Sequence, residues 1–153
     1  MATMEAPSAA TLYEQDETAW LDAMSELIRL GRFDALDYPN LAEYLTDMAA
    51  RDRREVRSRL VVLLLHLLKW EYQPDKRTHS WRTTVLNQRQ ELAVLASRGV
   101  LRVHATEILG EAYNDAVELA ASETKKSREA FPTDCPYSFD QLLVIELPEG
   151  EDA

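Results

Sequence analysis

The chain has 153 residues, 46% of them apolar, four glycines and six prolines. That is one ordinary domain's worth of sequence, large enough to bury a core without disulfide or metal, and too poor in chain-breakers for many short strands joined by tight turns. The formal net charge of −10 excludes a typical nucleic-acid binder, which is basic overall.

That charge is unevenly spread. Residues 1–50 carry a net −8, residues 51–89 a net +6, and residues 90–153 a net −8. A basic middle flanked by acidic ends has two readings. The favoured one folds the acidic faces back onto the basic helix; the other leaves a basic patch open for an anionic partner. The single cysteine, Cys135, has no partner for an internal disulfide, which suits a reducing, cytoplasmic location. It lies beside Asp134, whose charge raises a thiol pKa, so it reads as an inert loop cysteine.

In chain order, residues 1–10 are small and polar and read as a disordered N-terminus. Thr11 and Glu14 have capping-box spacing, so a first helix is expected from Thr11 to about Leu30, ended by Gly31. Its apolar stripe is Tyr13, Trp20, Met24, Leu27 and Ile28. A second helix starts near Asn40 after Pro39, with Leu41, Tyr44, Leu45 and Met48 as its buried stripe. Five arginines between Arg51 and Arg59 follow, read as a solvated or salt-bridged face. No glycine or proline interrupts residues 40–72, so one long helix or two nearly collinear ones are expected there. Leu60 to Leu68 is apolar on every face, which a helix tolerates only when others surround it. That run spans about 13 Å as helix, too short for a bilayer, so it is a core segment and no membrane is implied.

Pro74 closes this helix. A third is expected from Thr78 or Ser80 to Gly99, with Trp81, Val85, Leu92 and Leu95 on its stripe and Gln88 as a polar member. A fourth runs from about Leu101 to Ser122, lined by Leu101, Ala105, Ile108, Ala112 and Leu119 with Leu109, Tyr113 and Ala116 beside them. Ser138 and Gln141 form another capping box, opening a short fifth helix with Phe139, Leu142 and Leu143. Leu143 to Leu147 reads as an extended tail, and 148–153 as a loose acidic end. The expected fold is all-α: a bundle of four main helices plus a short C-terminal one, forming a single helical domain over 11–147.

Chemistry is sparse. The histidines at 66, 79 and 104 share no ligand spacing, and there is no Glu-x-x-His or Cys-x-x-Cys pair, so no metal is expected. Glycines only at 31, 99, 110 and 150 leave no phosphate-binding loop and no cofactor site. Glu107 and Glu111 read as a solvated pair. One stretch is dense in functional side-chain types. His66, Lys69, Trp70, Gln73, Arg77, Ser80, Trp81, Arg82 and Arg89 are candidate binding residues, since cations interleaved with aromatics suit an anionic ligand or a protein partner. Each also has a plainer reading. His66 suits a hydrogen-bonded core residue, Trp70 and Trp81 suit packing at a turn, and Lys69 suits an outward snorkel along its stem.

These residues carry a family resemblance. Tyr13-Glu14-Gln15-Asp16 with Trp20, Leu30-Gly31-Arg32-Phe33-Asp34, Leu36-Asp37 and Asn40-Leu41-Ala42-Glu43 begin it. His66-Leu67-Leu68-Lys69-Trp70, Tyr72-Gln73-Pro74, Arg77, Ser80-Trp81-Arg82, Thr84 and Gln88-Arg89 form its strongest part. Ala112-Tyr113, Ala116, Glu123-Thr124, Phe131-Pro132 and Cys135-Pro136-Tyr137 close it. Over about residues 13 to 143 the chain resembles the bacterial domain-of-unknown-function family number 29. The resemblance implies an all-α fold in a bacterial cytoplasmic protein and implies no activity. Where relatives often carry glycine near residues 48–53, this chain has Ala49-Ala50, which should straighten the helix.

The function expected from sequence is a non-enzymatic interaction or regulatory module binding another protein. The alternatives are nucleic-acid or nucleotide binding through 51–89, and an unrecognised enzyme using His66, Lys69 or Arg77 on an anionic small molecule. The sequence leaves the oligomeric state open.

Overall fold

The computed structural model describes residues 8–147, and the acidic end at 148–153 lies outside them. Every regular element among the described residues is helical: α1 (Ala9–Gln15), α2 (Glu17–Arg29), α3 (Tyr38–Tyr72), α4 (His79–Ala96), α5 (Gly99–Thr124) and α6 (Phe139–Val144). Short 3-10 turns sit at Phe33–Ala35, Pro74–Lys76 and Arg128–Ala130. The chain divides into two compact units, residues 1–50 and 51–153.

The first unit departs from the expectation of one helix over 11–30. Ser8, not Thr11, is the first cap: its hydroxyl accepts from the Thr11 amide at 3.2 Å. Ala9 and Ala10 are thus helical and not loose. Asp16 then breaks the helix. Its backbone turns to φ −151°, and its carboxylate caps α2 by accepting from the Ala19 amide at 3.1 Å. A short acidic side chain offers the backbone this local alternative to helix continuation. Gly31 takes φ +72° past the end of α2, the left-handed conformation that glycine adopts without a Cβ penalty.

Trp20 is the centre of this unit, fully buried, with Met24 beside it. The Tyr13 and Tyr44 rings lie 4.6 Å and 6.0 Å from the Trp20 ring. Its indole N–H donates to Asp37 at 3.1 Å, and Asn40 donates to the same carboxylate oxygen at 2.7 Å. A buried indole needs such an acceptor. Two stripe residues assigned to burial here are exposed, Ile28 at 50% and Leu45 at 65%, because so small a unit covers only a narrow face of each helix.

α3 is one continuous helix of 35 residues, and Pro39 in its first turn does no harm because amides there lack helical partners anyway. In the second unit its apolar run is the core. Leu60, Leu63, Leu64 and Leu68 are fully buried, and Leu65 and Leu67 nearly so. Val85, Leu92 and Ala96 of α4 close on them, with Ala105, Ala112, Tyr113, Ala116, Val117 and Ala120 of α5 and Phe139 and Leu142 of α6. The alanines of α5 repeat at four- and seven-residue steps, so its backbone approaches closely. Leu119 was placed on that stripe and is 45% exposed. A seven-residue step loses about 20° on a straight helix, so two steps from Ala105 carry it off the buried face.

α6 is capped as expected: Ser138 accepts from the Gln141 amide at 3.1 Å while Gln141 accepts from the Ser138 amide at 2.9 Å. Gly99, expected to end the third helix, instead opens α5 from a turn at φ +71°. The basic middle meets acidic partners within this unit. Arg57 pairs with Glu111 at 2.8 Å and Asp115 at 2.5 Å, and Arg59 with Glu55 at 2.9 Å and Glu91 at 3.7 Å. Lys69 pairs with Glu123 at 3.0 Å. The folded-back reading of the charge pattern therefore describes the second unit, across α3, α4 and α5.

Leu64→Ala should cost about 2–5 kcal/mol, the usual range for emptying a buried leucine site. Urea unfolding followed by circular dichroism measures it; a loss below about 1 kcal/mol would mean that the core is not centred on this run.

Candidate functional site

The candidate residues sit at the end of α3, in the turn after it and on α4. Pro74 ends helical hydrogen bonding, and a 3-10 turn over Pro74–Lys76 redirects the chain. Thr78 then caps α4, its hydroxyl accepting from the Trp81 amide at 3.1 Å. This brings Trp81 back alongside Lys69, and Arg82 alongside Trp70.

Three cation–aromatic contacts organise the turn. The Lys69 ammonium lies 4.5 Å from the Trp81 ring centre while holding Glu123, and its side chain is only 15% exposed. The Arg77 guanidinium lies 4.8 Å over Trp70, and its Nε donates to the Trp70 carbonyl at 2.8 Å. That carbonyl is among the last of α3, where helical partners run out, so Arg77 serves as a side-chain cap. Arg82 approaches the same Trp70 ring at 5.7 Å.

The other candidates disperse. His66 is half-buried, and its Nδ1 lies 2.8 Å from the Val62 carbonyl one turn back. A carbonyl only accepts, so Nδ1 is the ring nitrogen that donates here. Gln73 is half-buried where α3 ends, and Ser80 is exposed in the first turn of α4. Arg89 lies farther along α4, its Nη1 donating to the Ile145 carbonyl at 2.7 Å. The sequence thus named a stretch that the fold separates into a packed turn and an arginine-bearing face of α4.

That face opens into a cleft of about 260 Å³, walled by Arg82, Val85, Leu86 and Arg89 on one side and by Ile145, Glu146 and Leu147 on the other. Arg82 and Arg89 come from the candidate set; the apolar wall does not. Its only sequence signal was the run from Leu143 to Leu147, where apolar and polar positions alternate at the end. A second cleft of about 320 Å³ borders Arg89, Gln90, Ala93, Leu143, Val144 and Glu146.

Another cluster went unread in the sequence. Tyr113 donates to the Pro132 carbonyl at 2.6 Å, the Tyr72 and Phe131 rings lie 4.9 Å apart, and Tyr137 donates to Glu71 at 3.4 Å. Burial pushes the Tyr113 phenol up to about 12, with Cys135 adding to it. Burial and the Glu71 carboxylate push Tyr137 up to about 12 as well. Cys135 is raised too, but by burial and not by Asp134, and its thiol donates to the Tyr137 carbonyl at 3.3 Å. Among the described residues, no three His, Cys, Asp or Glu side chains gather to hold a metal ion, and no helix is long and apolar enough to cross a membrane.

Two predictions follow from this geometry. Arg77→Ala should cost about 1 kcal/mol, the value of a partly solvated charged hydrogen bond with its ring contact, measured by urea unfolding; an unchanged midpoint would remove Arg77 as a cap. The tyrosine pair fixes a pH limit. Both phenols are raised above the ordinary value of 10.0, so the folded state holds their protons more tightly than the unfolded state does. Their contribution is complete below pH 10 and is lost as pH rises from about 10 to 12. Melting temperature should fall through that window while absorbance near 295 nm shows two phenols ionising late; a flat melting curve would contradict it.

No curated protein and no solved structure matches the chain. A family model does match, over residues 12–146, from Leu12 in α1 to Glu146 at the edge of the α4 cleft. The match takes in most of both units and the whole His66 to Arg89 stretch, and the chain belongs to the family described as Domain of unknown function DUF29.

Proposed function

We propose that the protein is a non-enzymatic module that binds another protein, in a bacterial cytoplasm, through the turn after α3 and the adjoining face of α4. One observation carries this reading. The side chains best suited to act on a small molecule are already engaged with the chain itself: His66 with Val62, Lys69 with Glu123 and Trp81, Arg77 with the Trp70 carbonyl. Beside them lies a mixed wall in which Arg82 meets the Trp70 ring, Arg89 meets the Ile145 carbonyl, and Leu86 is 41% exposed. Arginine beside apolar and aromatic groups is the composition of protein interfaces.

The nucleic-acid alternative draws less support. Arg57, Arg59 and Lys69, three of the ten cations in 51–89, each face a carboxylate. A phosphate backbone would have to compete with those pairs.

The test is capture of partners by the tagged chain from its own cells, with and without nuclease. A stoichiometric protein should survive nuclease and be lost with Arg82→Glu or Leu86→Glu, both still helical by circular dichroism. A partner retained by both variants would move the interface elsewhere, and material lost on nuclease treatment would favour the nucleic-acid reading.

A further inference from the structure

Residues 145–147 only partly fill the face of α4 on which they lie. After Val144 the backbone leaves the helix, with Ile145 extended at φ −63°, ψ 131°. A hydrogen bond from Arg89 to the Ile145 carbonyl ties it to α4. Ile145 and Leu147 are half-buried against the core, while Val144 is 72% exposed and Glu146 faces solvent. Arg89 and Glu146 border both clefts. One extends along α4 toward Arg82, the other toward Ala93. A segment with an opening at each flank is narrower than the surface it rests on.

The chemistry of that surface is specific. From α4 the clefts receive Arg82 and Arg89 as their charged groups, with Val85 and Leu86 between them. Among the described residues, the carboxylate there, Glu146, comes from the segment and not from the helix beneath. The seat is thus cationic and apolar, and its occupant reads apolar, acidic, apolar: Ile145, Glu146, Leu147.

We infer that this face of α4 is a docking seat for an extended segment of another protein, one that carries an acidic residue between two apolar ones, and that Ile145-Glu146-Leu147 occupies it in cis until the partner displaces it. The partner's backbone takes the Arg89 hydrogen bond now made to Ile145. Its carboxylate meets the Arg82 and Arg89 pair, and its flanking apolar side chains pack beside Leu86 and Val144 in place of Ile145 and Leu147. Self-occupancy multiplies the apparent affinity by the fraction of seats that stand open, so loosening the segment tightens binding. The choice of a protein partner rests on the interaction reading above; the seat and its occupant rest on the α4 geometry.

The test uses the full chain and a fluorescein-labelled peptide copying residues 143–149, followed by fluorescence polarisation. Ile145→Ser should tighten the peptide at least about fivefold by freeing the seat. Arg82→Glu should weaken it at least about fivefold, and a peptide with lysines in place of its glutamates should lose at least about tenfold. If Ile145→Ser fails to fold, Glu146→Lys in the chain serves instead, since it removes the segment's own charge from the arginines and should also tighten the peptide. Weaker binding to the loosened variant, or no binding to either form, overturns the inference. A lysate partner captured by a chain that ignores the peptide would retain the module and discard the seat. A peptide bound as described, with nothing captured from lysate, would retain the seat and discard the module reading.

Discussion

Nine residues of α3, Leu60 to Leu68, are apolar around the whole helix except at His66, and everything else in the second unit answers to that. A helix with no polar face has no side to turn toward water. It must be enclosed, and α4, α5 and α6 each lay a buried edge on it. The one polar side chain in the run settles its own demand by bonding to Val62, a turn earlier on the same helix. The cations follow from the same constraint. Arg57, Arg59 and Lys69 lie where α3 emerges from this enclosure, and the acidic residues of α4 and α5 are brought within reach by the packing itself.

Much of this was legible in the sequence because its signals are local. The apolar run, the Ser138-Gln141 box, the stop at Gly31 and the absence of any breaker between residues 40 and 72 all act within a few residues. The break at Asp16 was not legible for the opposite reason. Nothing in the local pattern forbids the helix from continuing; the carboxylate simply caps the next one better. The exposure of Leu45 and Leu119 also escaped, since a stripe drawn by spacing does not say how far the neighbouring helix reaches.

The candidate site was legible as a neighbourhood and not as a geometry. Arg77 and Lys69 read as ligand-type residues because their partners are invisible along the chain. Arg77's is a backbone carbonyl, which every residue has, and Lys69's is Glu123, more than fifty positions later. Arg82 and Arg89 line the cleft on α4. Their companion wall, Ile145 to Leu147, lies more than fifty residues away and was read only as a tail.

The tryptophans divide between the two units, with Trp20 in the first and Trp70 and Trp81 in the second. Trp20 is shut from solvent and has Tyr13 and Tyr44 within 6.0 Å, so excitation of those phenols reaches it by energy transfer. Trp70 and Trp81 each lie under a cation. The molecule therefore carries separate optical reporters for its two halves. A chain stripped of Trp70 and Trp81 glows only from the first, and a chain stripped of Trp20 only from the second.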